Sequence, residues 1–362
     1  MKKVVFLLLL IIGVIVIANY GRKVFRSKIE SALSLQPTET LLTPHPTPTA
    51  PAAKIIDETL FVPYWSVKSG FNAPSYKKLV YFGVKATEQG IDTSDPGYQQ
   101  LPVFMQGVNS QNTILAVRMI DNSSNFAILK SASSQQHVIK AAIAIAKRNH
   151  FSGILLNLEV SALPFSSLVD QIVSFNTSFS QAAHESALSY GVTAYGDSFY
   201  RLRPFDISKM AKDSDTVYIM AYDFSKANGN PGPNFPLSGN DTYGYDFSHM
   251  IDNFADSVPL KKLIVIFGMY GYDWPVDNNS KATGVGTAAS LVSIKNTIID
   301  ACDYLSCEWE RDLTSGETKA TYQDDTGKHI VWFEDEESVK RKQEFLRKRG
   351  IGSYAYWAYS YF

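Results

Sequence analysis

The run Phe151-Ser152-Gly153-Ile154-Leu155-Leu156-Asn157-Leu158-Glu159 is apolar almost to its end, where an amide and an acid follow in alternation. In an extended strand, side chains two residues apart share a face, so Leu155, Asn157 and Glu159 point the same way. A carboxylate at the end of such a strand is expected to be largely shielded from water. Burial disfavours its charged form and keeps a proton available for a glycosidic oxygen. Three further apolar runs end in polar or aromatic groups. They are Met220-Ala221-Tyr222-Asp223, Tyr270-Gly271-Tyr272-Asp273-Trp274 and Tyr354-Ala355-Tyr356-Trp357. Together these ends offer one Glu, two Asp and several Tyr and Trp, which suits a sugar ring held by hydrogen bonds and aromatic stacking. An aromatic-rich core with capping aspartates would use the same residue types, and residue type alone leaves both readings open.

Such residues act together only if a scaffold brings the ends of their strands to one place. From about residue 55, short β-branched or aromatic runs alternate with helix-like stretches, the pattern of βα units around a parallel sheet. Strands are predicted over 60–67, 78–84, 113–120, 153–160, 192–198, 216–224, 263–270 and 352–359. Helices are predicted over 134–149, 165–189, 206–213, 247–257 and 336–349, with a short irregular link between the first two strands. Eight strands point to an α/β fold of the (β/α)8 TIM-barrel type, whose C-terminal strand ends build the site. A doubly wound open sheet is the alternative, but no Gly-rich phosphate loop follows the first strand. A small α+β insertion is expected between strands 7 and 8, at about 275–331.

The 362 residues suffice for one large domain with extras. Lys2 and Lys3 precede an apolar run, 4–18, and Arg22, Lys23, Arg26 and Lys28 follow it. This reads as an N-terminal transmembrane anchor or signal segment with a basic flank, 1–28; the absence of a polar region before a cleavage site favours the anchor. Residues 29–54 form a Pro/Thr-rich linker, extended and poorly packing, that acts as a stalk. The barrel then occupies 55–362. An anchor, a stalk and a globular domain describe a membrane-anchored protein with an extracytoplasmic domain, or one secreted after cleavage. The net charge of −1 argues against nucleic acid as a partner. The six histidines show no metal-ligand spacing, and no cofactor or metal is expected. Cys302 and Cys307 could form a small disulfide loop or remain two separate small hydrophobes.

The ordered set of strand ends resembles glycoside hydrolase family 18, the chitinase-like family, and within it the bacterial spore-type, peptidoglycan-associated branch. The fourth-strand segment is similar to the signature D-G-x-D-x-D-x-E, with Glu159 at the acid. Met220-Ala221-Tyr222-Asp223 matches M-x-Y-D, Tyr270-Gly271-Tyr272-Asp273-Trp274 resembles Y-G-Y-D-W, and Val331-Trp332-Phe333-Glu334-Asp335 with Trp357 resembles the C-terminal end of that branch. The resemblance covers nearly the whole chain after the stalk. It implies substrate-assisted, retaining hydrolysis of β-linked N-acetylglucosamine-containing glycans of peptidoglycan or chitin type. In that chemistry Glu159 is the general acid/base, Asn157 orients the substrate's 2-acetamido group, Tyr222 hydrogen-bonds its carbonyl, and Trp357 floors the sugar site. Asp223, Met220, Tyr270 and Tyr64 join Trp357 as substrate-binding candidates. The signature is degenerate: Ser152, Leu155 and Asn157 stand where it has three aspartates. The alternative expectation is therefore a catalytically impaired or non-catalytic glycan-binding protein on the same barrel.

Overall fold

The computed structural model describes residues 57–108 and 112–362. The anchor, signal and stalk expectations, 1–54, lie outside the described residues. Among the described residues no helix is long and apolar enough to cross a membrane.

Eight parallel strands form the core. They are β1 (Asp57–Pro63), β2 (Lys78–Thr87), β3 (Asn112–Met119), β4 (Gly153–Leu158), β5 (Ser189–Tyr195), β6 (Thr216–Ala221), β7 (Leu263–Gly268) and β8 (Ser353–Trp357). Each pairs with the next, and β8 pairs with β1 through Thr59↔Ala355 and its neighbours, so the sheet closes on itself. This is the expected barrel. Alternate residues fill its interior: Phe61, Val80, Phe82, Ile114, Leu155 and Met220 belong to one buried apolar cluster. The other face of each strand packs under the helices.

Those helices form where apolar residues recur every three or four positions behind a capping side chain. In α1 (Ala132–Arg148), Val138, Ile139, Ala142, Ile145 and Ala146 are buried, and the Ser131 hydroxyl caps the Ser134 amide. Asp206 caps α3 (Ile207–Asp213) and Asp246 caps α4 (Phe247–Ser257), while Phe165 begins α2 (Ser166–Glu185) without a side-chain cap. Asp335 and Ser338 form a reciprocal capping box on α5 (Glu336–Lys348). As expected, the first two strands are joined irregularly, with a 3-10 turn at Tyr64–Ser66.

The insertion begins earlier than its sequence indicates. β7 ends at Gly268, and Tyr270–Val276 is already the first strand of a separate antiparallel sheet. Its other strands are Thr287–Ser290, Glu308–Arg311, Thr318–Asp324 and Gly327–Phe333, and Tyr270–Val276 lies between the first and last of these. The chain stays extended through this junction while its partners change, with Tyr272 opposite Trp332 and Gly271 opposite Phe333. Alternation alone carries no mark of such a change. The expected strand 263–270 and insertion 275–331 are corrected to β7 and a segment running from Tyr270 to Phe333. Helical pieces follow at Leu291–Ile294, Lys295–Ile299 and Cys302–Leu305. Cys302 and Cys307 form a disulfide, with Cα atoms 4.9 Å apart.

Candidate active site

A cavity of about 300 Å³ opens at the C-terminal ends of the barrel strands. Glu159, Asn157, Tyr222, Asp223, Met220, Trp357 and Tyr270 all line it, so seven of the eight residues singled out from the sequence converge there. Tyr64 does not. It follows β1 in the 3-10 turn, and its ring lies 4.6 Å from the Arg118 guanidinium carbon. The neighbouring Trp65 lines the cavity instead. Phe61 of β1 lines the cavity, and alternation from it turns Trp65 inward, whereas Tyr64 continues the Leu60 and Val62 face that packs outside the barrel; the expectation for Tyr64 misses by one residue.

β4 carries the acid. Leu155 is fully buried inside the barrel, Asn157 is 2% exposed, and Glu159 emerges one residue past the end of the strand. The Glu159 amide still donates to the Met119 carbonyl at 2.8 Å, which fixes the backbone where the side chain enters the cavity. The Asn157 amide is held from both sides. Its Oδ1 accepts from Thr193 Oγ1 at 2.9 Å, and its Nδ2 donates to Glu159 Oε1 at 3.0 Å. The other carboxylate oxygen accepts from the Tyr195 hydroxyl at 3.4 Å. Burial, and then the Glu159 charge, push the Tyr195 phenol well above its ordinary pKa, so it serves as a donor. Leu155, in place of an acid, leaves no buried carboxylate to satisfy beneath Asn157.

At the end of β6, Tyr222 has no hydrogen-bond partner for its hydroxyl among the described residues. Burial and the nearby Glu159 raise its pKa well above the ordinary phenol value, and the proton stays on oxygen. Asp223 has a φ of 57°, the left-handed region that aspartate tolerates better than most residues. Its amide donates to Asn234 Oδ1 at 2.8 Å, and its carboxylate accepts from Tyr270 and from Tyr272, the latter at 2.7 Å. Both tyrosines belong to the insertion sheet, so that sheet closes one side of the cavity. Asn234 is held in turn by Glu317, which accepts from the amides of Asn234 and Phe235 at 2.6 and 2.7 Å. Lys342 of α5 donates to Glu317 at 2.8 Å and to Glu334 at 2.6 Å, and all three side chains are fully buried.

Trp357 ends β8, and the peptide bond that follows it is cis. Its ring stacks near Tyr222, 6.4 Å between centroids, and meets Phe82 edge-on at 4.8 Å. Trp65, 45% exposed, stands 6.1 Å from it and with Ile120 makes an apolar wall. The opposite rim is charged: Asp197 is clasped by Arg201 and by Arg203, the latter at 2.6 Å, and Lys226 lies nearby. Burial works against the Asp197 charge, but the two arginines outweigh it and hold the carboxyl below its ordinary range. Among the described residues no group of three or more His, Cys, Asp or Glu side chains could hold a metal.

The arrangement, an acid braced by an amide and a phenol above an indole floor in a closed barrel, agrees with the sequence comparisons. The profile of glycosyl hydrolases family 18 matches residues 64–361. The chain belongs to this family. YdhD of Bacillus subtilis is 29% identical over 163 residues, covering 44% of this chain and 36% of that protein. An endochitinase of Brugia malayi is 26% identical over 258 residues, 64% of this chain and 49% of its own length. The chain thus spans less than half the length of these curated relatives. The spore cortex-lytic enzyme SleL of Bacillus cereus has the same fold, with a TM-score of 0.68 and 18% identity over 84% of this chain and 71% of its own. The likeness to the spore-type branch of family 18 therefore holds in sequence and in fold.

Besides Trp65, four contributors to this family 18 site escaped the sequence reading: Thr193, Tyr195, Asp197 and Lys226. The first three alternate along β5 and its extension, Thr193-Ala194-Tyr195-Gly196-Asp197, and period-two alternation beside the β4 acid could have found them. Lys226 follows a strand end by several residues, and no periodicity points to it.

Proposed function

We propose that the protein is a glycoside hydrolase acting on β-linked N-acetylglucosamine-containing glycans, of peptidoglycan or chitin type, by a substrate-assisted retaining mechanism. The observation that carries this reading is the meeting of Glu159, Asn157, Tyr222 and Trp357 in one cavity, with the Tyr222 hydroxyl left for a ligand. Glu159 gives its proton to the glycosidic oxygen as that bond breaks, while the substrate's own 2-acetamido carbonyl oxygen bonds to the anomeric carbon. Tyr222 donates to that carbonyl oxygen and Asn157 orients the acetamido group. Glu159, now a carboxylate, takes a proton from water as the water opens the cyclic intermediate, and retention results. Asn157 brings no negative charge to the intermediate, so the reaction relies on its dipole and on the substrate's geometry. Family membership and the endochitinase and cortex-lytic relatives support the substrate class. Incubation of the purified protein with chitooligosaccharides and peptidoglycan is expected to release shorter glycans. Glu159→Gln is expected to lower turnover by about 10²–10⁴-fold with glycan binding kept, the usual contribution of general acid–base catalysis. Equal turnover by the two proteins would overturn the assignment.

A second reading rests on Ser152, Leu155 and Asn157 in place of the three signature aspartates: a glycan-binding protein without turnover. On that reading the parent protein gives a binding isotherm but no product, and Trp357→Ala abolishes the affinity. Unimpaired binding by that variant counts against it. For the whole chain we propose a membrane-anchored, extracytoplasmic domain carried on a stalk, supported by the apolar run 4–18, its basic flanks and the Pro/Thr-rich segment.

A further inference from the structure

Lys226 is the one lysine lining the cavity, and it has no obvious structural employment there. Among the described residues its ammonium makes no hydrogen bond and no ion pair within 4 Å. Both nearby carboxylates are already engaged. Asp197 is held by Arg201 and Arg203, and Asp223 by Tyr270 and Tyr272. The lysine is also held in place: the carbonyl of the next residue, Ala227, accepts from Trp274 Nε1 at 3.1 Å and from the Gly286 amide at 2.7 Å. The Lys226 carbonyl itself accepts from Gly229 at 2.8 Å in a tight turn. The insertion sheet thus fixes a half-buried cation on the rim opposite Trp65 and Ile120. Burial pushes its pKa down, with Asp197 and Asp223 opposing that shift and Arg201 and Arg203 adding to it. A desolvated ammonium without a partner is costly, and a ligand anion beside it removes that cost.

We infer that Lys226 is a specificity-determining residue that pairs with a carboxylate carried on the glycan, so that the cavity prefers N-acetylhexosamine chains bearing a 3-O-lactyl acid over neutral ones. This rests on the glycan reading proposed above and narrows it from both glycan types to peptidoglycan-type strands whose lactyl carboxyls are free rather than amide-linked to peptide. A single ammonium matches a monoanion. A phosphate monoester, with its higher charge, would meet Glu159, Asp197 and Asp223 across the same cavity.

The test uses the full chain carrying Glu159→Gln, so that no ligand is consumed, and isothermal titration with three probes. These are chitotetraose, a tetrasaccharide of alternating N-acetylglucosamine and N-acetylmuramic acid with free lactyl carboxylates, and the same tetrasaccharide with those carboxylates converted to methylamides. The acidic tetrasaccharide is expected to bind tightest. Adding Lys226→Met is expected to weaken it by roughly tenfold or more, the usual size for a charged hydrogen bond. The other two probes should change by less than about twofold. Lys226→Arg is expected to keep most of the preference, and added salt to diminish it. Matching melting temperatures for the variants separate a lost contact from a lost fold. If the amidated and acidic probes bind alike, or Lys226→Met weakens all three equally, the inference is overturned while the glycan reading stands. If no probe binds the parent, both fall.

Discussion

At Asn157 a single amide performs two tasks, and the side chains beside it show how. Its carbonyl oxygen accepts a hydrogen bond from the Thr193 hydroxyl and its nitrogen donates to Glu159, so Thr193 decides which way the amide is turned. An aspartate here would set two carboxylates within hydrogen-bond reach, which ordinarily must share a proton; the amide removes that conflict. Thr193→Val keeps the shape of the side chain but deletes the donor, leaving a buried carbonyl oxygen without its protein partner. The expected cost is about 1–3 kcal/mol of stability, read by urea denaturation. The rate of glycan cleavage should fall with it while KM stays near its original value, because an unfixed amide mispositions the reacting group rather than loosening the sugar. A KM rise with unchanged kcat would show that Thr193 serves binding alone.

The insertion does more than decorate the barrel. Its first strand supplies Tyr270 and Tyr272 to Asp223, and a buried line of polar groups runs from Asn234 through Glu317 to Lys342 and Glu334. One cation serves two buried carboxylates. Burial, opposed by Lys342 and reinforced by Glu317, pushes Glu334 up to about 7 from its ordinary 4.5. The folded state therefore holds a proton that the unfolded chain releases. The Glu334 contribution to stability is full below about pH 4.5 and is lost as pH rises toward 7. Denaturation midpoints taken across that range should show the slope in the parent and a smaller one in Glu334→Gln. Lys342→Met leaves Glu317 and Glu334 without their cation. It is expected to cost about 3–5 kcal/mol, and the Asn234 support of Asp223 should weaken with it. A Lys342→Met protein as stable as the parent would show that the carboxylates are relieved some other way.

Over the whole molecule, the chemistry sits at one end of a closed barrel, and the net charge of −1 provides no general attraction for anionic polymers. Discrimination among glycans has to arise locally, from the charged rim facing the apolar wall. The anchor and stalk would set where that end can reach. Membrane fractionation tests them: the full chain is expected in the membrane fraction, resistant to salt and released by detergent. A chain beginning at Lys54 is expected in the soluble fraction. Recovery of the full chain from culture medium, shortened by about 18 residues, would instead support a cleaved signal.

The eight barrel strands and the cavity positions of Glu159, Asn157, Tyr222 and Trp357 were legible in the sequence, because strand side chains alternate strictly and barrel sites gather at C-terminal strand ends. The same alternation, counted from the inward Phe61, selects Trp65 rather than Tyr64, and it carries no mark of the boundary before Tyr270, where the chain stays extended while changing sheets. Residues brought together through other elements carried no local mark. Lys226 owes its place to hydrogen bonds from Trp274 and Gly286, some fifty residues downstream, and Asp223 owes its support to Glu317 and Lys342 farther on. Periodicity determines which face a side chain takes; only the packing of distant segments decides which partners await it there, and hence that the acid, the amide and a cation with no partner among the described residues share one cavity.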